Sequence, residues 1–135
     1  APAYITKITN QVKWLENKMK NNNWVFEIKD FRKVLSKYKN NKNVVIYLDP
    51  PYINRSNDYF NGWKDKDEMD LYKELKKQKG QFVMSTWYGN KFRKNEYIDD
   101  VWSEFDILTK EHTYHVGANE ANRNKMLEAL IIKKN

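Results

Sequence analysis

Apolar residues recur along this chain with two periods. Ile5, Ile8, Val12, Leu15 and Met19 follow one another at steps of three and four, which predicts an amphipathic helix over about residues 5–20. Trp14 lies close to that stripe and widens it. Such a stripe more often packs on a core than reads DNA, so burial is the expectation. Three asparagines at 21–23 end the helix, and residues 24–28 then follow a strand pattern. Asp30 is placed to cap a helix through about Tyr38, with Phe31, Val34, Leu35 and Tyr38 on one face. After a polar turn at 39–43, residues 44–48 form a continuous β-rich apolar run, the signature of a buried parallel strand.

Residues 53–66 have no clean period but include Tyr59, Phe60 and Trp63. A loop of that length is either a binding lid or a segment packed over the core. Asp65 or Asp67 then caps a predicted helix running to about Lys79, with Met69, Leu71, Tyr72 and Leu75 available for burial and Gly80 as its C-terminal cap. Residues 81–85 predict a strand, followed by the basic segment Lys91, Phe92, Arg93 and Lys94. Residues 105–116 and 126–132 predict two further strands joined by a polar turn. Helices alternating with strands over 135 residues indicate a single α/β unit.

The chemistry concentrates just beyond the run at 44–48, in Asp49, Pro50, Pro51 and Tyr52. By chance this string is expected in only about one in two thousand chains of this length. In open α/β sheets ligands bind beyond the carboxyl ends of strands, where these four residues fall. They suit an exocyclic amino group on an aromatic ring. Such a nitrogen is a poor nucleophile because its lone pair is delocalised. Two acceptors aimed at its hydrogens draw it towards tetrahedral geometry. The Asp49 carboxylate is one acceptor; the Pro50 carbonyl is the other, in a loop stiffened by Pro51. Tyr52 offers a flat face for a base, a role that needs its ring and not its hydroxyl. The plainer alternative is a Pro-Pro turn ending a strand, with Asp49 as a local cap and Tyr52 as packing.

Composition narrows the partner. Net charge is +7, which favours an anionic partner, although a solvated lysine surface explains the charge equally well. Of 25 basic residues only Arg32, Arg55, Arg93 and Arg123 are arginine, so diffuse attraction to phosphate outweighs bidentate base reading. Without cysteine there is no disulfide, thiolate nucleophile or Cys-metal site. His112 and His115 are the only imidazoles, and no carboxylate spacing beside them suggests a metal. No apolar stretch is long enough to predict a transmembrane helix, and no signal peptide is visible.

Asp-Pro-Pro-Tyr after a hydrophobic strand resembles the catalytic motif of the adenine-specific DNA methyltransferases. Asp rather than Ser or Asn in the first position points to adenine. Three further segments resemble the Dam-like branch, the D12 class. Residues 24–32 resemble the strand, Asp-Phe and helix step before the catalytic strand. Residues 82–86 resemble the next core strand, with Thr86 a departure from the usual Ser-Asn. Tyr114 to Gly117, Asn122 to Lys125 and Glu128 to Ile131 resemble the closing β-hairpin. The resemblance spans roughly residues 5–132. It implies part of a Rossmann-like S-adenosylmethionine-dependent methyltransferase fold, with a mixed, mostly parallel sheet and a C-terminal antiparallel hairpin. It further implies methyl transfer from S-adenosylmethionine to the 6-amino group of adenine in double-stranded DNA. No metal or covalent intermediate is implied, and the setting is a restriction-modification or phage modification system in the cytoplasm of a bacterium or phage-infected host.

By that resemblance the catalytic residues are Asp49, Pro50, Pro51 and Tyr52. Asp30, Phe31 and Asp49 meet the methyl donor, with Asp30 also a plain helix cap by its sequence. Tyr52, Arg55, Arg123 and Lys125 meet DNA. Gly62, Gly80, Gly89 and Gly117 include no Gly-x-Gly pair in a strand-loop-helix setting, so the family's N-terminal donor-binding motif is not recognisable. Residues 1–135 therefore look like the C-terminal catalytic portion of a methyltransferase domain, completed by an N-terminal half or second chain. The alternatives are a non-catalytic DNA-binding or scaffolding subunit, and an amino-methyltransferase acting on RNA or protein.

Overall fold

The computed structural model describes residues 2–54, 62–113 and 125–134. Its elements run α1 (Pro2–Asn21), α2 (Phe31–Tyr38), β1 (Val45–Leu48), α3 (Asp65–Lys76), β2 (Gln81–Gly89), α4 (Tyr97–Asp100), β3 (Asp106–Thr113) and β4 (Lys125–Lys133). Four strands form one sheet in the order β1-β2-β4-β3. β1 and β2 are parallel, with Val45 opposite Gln81 and Leu48 opposite Met84. β4 lies antiparallel to both β2 and β3. The sheet is thus mixed. The expectation of a mostly parallel sheet fails among the described residues, because β4 inserts between β2 and β3 and reverses both pairings. The turn expected between the last two strands lies outside the described residues.

The core lies on one face of this sheet. Phe82, Met84, Ala129 and Ile131 meet Leu35 of α2 and Leu71 and Leu75 of α3, together with Ile98 and Trp102. α2 starts where predicted: the Asp30 side chain accepts from the Arg32 backbone N–H at 2.8 Å. Gln78 ties the two helices by donating to the carbonyls of Leu35 and Glu74, both at 3.0 Å. α3 begins one residue past Lys64, and the Asp67 carboxylate accepts from the Lys64 N–H at 3.2 Å.

α3 ends at Lys76, three residues short of expectation, and Gly80 is not its cap. Gly80 is needed for another reason. A Cβ there would stand 2.4 Å from the Val44 carbonyl oxygen, so glycine lets the chain pass against the start of β1.

The opposite face of the sheet carries Val45 and Tyr47 of β1, 68% and 67% exposed, and Leu108 and Leu130, also exposed. β1 is therefore not the doubly buried strand that its apolar run suggested. Among the described residues it is an edge strand with a helix layer on one side only.

The N-terminal segment departs furthest from expectation. Residues 24–30 form no strand, and no strand among the described residues pairs with them. Val25, Phe26 and Ile28 are exposed. The helix predicted at 5–20 exists as α1, but Ile5, Ile8, Val12, Leu15 and Met19 all face solvent, so its stripe packs on nothing among the described residues. No helix among the described residues is long and apolar enough to cross a membrane.

Candidate active site

Because β1 and β2 are parallel, their carboxyl ends lie on the same side of the sheet. Asp49 follows β1 directly, and Ser85 of β2 stands beside it. The Ser85 hydroxyl donates to Asp49 Oδ1 at 2.8 Å and also lies 3.3 Å from the Leu48 carbonyl oxygen. The Tyr47 hydroxyl donates in turn to Ser85 Oγ at 3.3 Å. A strand residue thus fixes one oxygen of an exposed carboxylate.

Tyr52 is held from the other side. Its hydroxyl donates to Glu128 Oε2 of β4 at 2.7 Å. Stacking alone does not use that hydroxyl, so the bond is an addition that the sequence did not suggest. Just after Tyr52 the backbone is pinned by Ile53, which is 2% exposed and whose carbonyl accepts from the Trp87 indole N–H at 2.9 Å. Asp49, Tyr52, Ser85, Glu128 and Leu130 line one cavity of about 620 Å³. That volume suits a flat heterocycle. Its two carboxylates are acceptors, and Tyr47 and Tyr52 give it aromatic rings.

Asp30 and Phe31 do not line this cavity. Asp30 Oδ2 is 3.2 Å from Arg32 Nη1, while Oδ1 caps α2. Arg32 bridges onward to Asp67 at 2.6 Å and Asp70 at 2.8 Å. Those contacts raise the Arg32 pKa and hold Asp67 below the usual carboxylate range. Asp70 is lowered too, by Lys66 first and Arg32 second. The Arg32 guanidinium lies 4.3 Å from the Phe31 ring centroid, and Trp63 packs on the same ring with centroids 5.5 Å apart.

Trp63 is itself anchored by Glu68. This carboxylate is 3% exposed and accepts from the indole N–H of Trp63 at 2.5 Å and of Trp102 at 2.8 Å. Burial pushes the Glu68 pKa up, against the pull of those two donors. Arg55 and Arg123 lie outside the described residues. Lys125 opens β4 and pairs with Glu111 at 2.7 Å, so its charge is partly engaged within the fold.

Sequence reasoning missed Ser85 and Glu128. Each sits in a segment with a recognisable strand pattern, but its partner lies 36 or 76 residues away. Only the strand register brings them to the loop.

The Asp-Pro-Pro-Tyr loop of this mixed α/β sheet follows a parallel strand, at the end where open α/β sheets bind their ligands. The family model for D12 class N6 adenine-specific DNA methyltransferases matches residues 3–116, and the chain belongs to that family. No curated protein matches the chain.

Proposed function

We propose that this chain carries the catalytic loop of an enzyme that methylates the 6-amino group of adenine in double-stranded DNA, in a restriction-modification or phage modification system. The observation that carries this reading is the cavity in which Asp49, oriented by Ser85, stands beside Tyr52, tethered to Glu128.

A base inside a duplex hides its amino group, so the target adenine is flipped out. Tyr52 stacks on the extruded ring, and its tether fixes the ring plane before the base arrives. Asp49 accepts one amino hydrogen and the Pro50 carbonyl the other. The lone pair is thereby directed out of the ring plane. These acceptors strengthen as positive charge grows on the nitrogen, so they favour the transition state over the bound substrate. Bound S-adenosylmethionine supplies an electrophilic methyl group for direct displacement. The new bond is N–CH3, the broken one S–CH3, and the extra amino proton leaves to water.

In this reading, as the family resemblance implies, Asp30 accepts from the adenine amino group of that donor and Phe31 meets its ring. Arg32 fills two of the roughly four acceptor positions on the Asp30 carboxylate, which leaves room for an amino group. The edge of β1, the bare sheet face and the exposed stripe of α1 support completion by an N-terminal half or second chain that brings further donor contacts.

The test is a methyl-transfer competition among duplex DNA, RNA and peptide, with mass-spectrometric identification of the product. Methylated adenine from DNA alone is the expected result. Label in RNA or peptide, or none anywhere after the partner half is supplied, contradicts the reading.

A further inference from the structure

The turn after β2 lies on the same side of the sheet as Asp49, since β1 and β2 run parallel. It is built to hold one shape. Asn90 Oδ1 accepts from the backbone N–H of Phe92 and of Arg93, both at 2.9 Å, and the Asn90 N–H donates to the Arg93 carbonyl at 2.8 Å. Gly89 bridges to Lys94, and a Cβ on Gly89 would stand 2.9 Å from the Arg93 carbonyl oxygen. Below the turn, Asn95 is 1% exposed and donates its amide to the Trp87 carbonyl at 2.9 Å.

This rigid turn presents Phe92 outward, 69% exposed. The Lys91 ammonium lies 4.7 Å from the ring centroid, and Arg93 is exposed beside it. Lys94 is committed to Asp99, so Lys91 and Arg93 are the outward charges. A cavity of about 490 Å³ runs from Lys91 and Phe92 to Lys125, whose partner Glu111 lies in the same wall. The turn holds an apolar ring outward beside two cations. Against a polyanion with stacked rings both features are satisfied: the cations meet phosphates and the ring enters the stack.

We propose that the Asn90–Lys94 turn is a DNA contact, with Phe92 wedged into the duplex beside the flipped adenine and Lys91 and Arg93 on the flanking phosphates. The proposal rests on the DNA-methylation reading above and extends it to a surface outside the catalytic loop. Charge complementarity and the shared end of the sheet favour duplex DNA over a protein partner.

The test measures duplex binding by fluorescence anisotropy across a salt series, using the chain together with the partner that completes its activity. A second DNA carries 2-aminopurine at the target position. Phe92→Ala is expected to weaken binding about tenfold, as for the loss of one stacked aromatic, and to reduce the 2-aminopurine rise. Its salt dependence and melting temperature stay those of wild type. Lys91→Ala with Arg93→Ala is expected to lower the slope of log K against log salt by about two. Unchanged affinity, slope and 2-aminopurine signal in all variants overturns the proposal, even though adenine methylation persists. Loss of partner-chain association with DNA binding intact overturns it in favour of a protein interface. A wild-type assembly that binds no DNA overturns the methylation reading and this proposal together.

Discussion

The sheet with its helices α2, α3 and α4 and the segment at 2–29 use similar residues to opposite ends. Both are rich in apolar side chains at regular spacing. In the first region, Phe82, Met84 and Ile131 of the sheet and Trp102, just past α4, are fully buried. In the N-terminal segment, Ile8 and Val12 remain 46% and 58% exposed, and Ile28 is fully exposed. Periodicity therefore establishes an amphipathic element; it does not establish what covers it. The sheet can close its core because β2, β4 and the three helices supply complementary faces. α1 and residues 24–30 meet no such face among the described residues. Under the proposed function, the first region positions the chemistry and the second is a surface for a partner.

The sharpest way to break this contrast is to cut the core. Trp102 is fully buried, donates to Glu68 and packs on Tyr72 with centroids 5.5 Å apart. Trp102→Ala is expected to destabilise the fold by about 3–5 kcal/mol, measured by chemical denaturation. A loss below about 1 kcal/mol would show that the helices do not share one core with the sheet. Gly80→Ala tests the passage beside β1. The added methyl must displace the Val44 carbonyl, and a loss of about 1–3 kcal/mol is expected by the same measurement.

Ser85→Ala moves the question from packing to chemistry. It removes the donor to Asp49 Oδ1 and is expected to lower kcat about tenfold with little change in stability. An unchanged kcat would mean that Asp49 is oriented by other contacts. The smallest effect belongs to the other region. Ile8→Ser with Val12→Ser on α1 is expected to change the stability of the isolated chain by less than about 0.5 kcal/mol, because both side chains are already in water. Under the proposed function, the same pair is expected to weaken association with the partner that completes the donor site. A large loss of stability in the isolated chain would place α1 on the sheet.

What the sequence disclosed followed the range of the signal. Asp30 as a cap and β4 rest on neighbours a few residues apart, and these emerged with small shifts at their ends, while β2 runs four residues past its expected end at Ser85. Residues 24–28 have strand composition but no ladder, and composition cannot supply a neighbour. The mixed pairing depends on where β4 enters the sheet, which no local pattern encodes. Ser85 and Glu128 escaped notice for the same reason. Each is ordinary within its own strand and gains meaning only opposite Asp49 or Tyr52. Gly80 carried a cue, but two uses of glycine compete after a helix: a left-handed cap and a close backbone approach. The fold takes the second.

Under the proposed function, the Asp49 carboxylate directs the amino lone pair of adenine towards a methyl donor. The direct measurement is single-turnover methyl transfer to duplex DNA by Asp49→Ala, with wild-type protein alongside and both supplied with the completing partner. Loss of one preorganised acceptor predicts a fall of several hundred-fold in the transfer rate, with DNA binding retained. Transfer by Asp49→Ala at close to the wild-type rate would contradict the account.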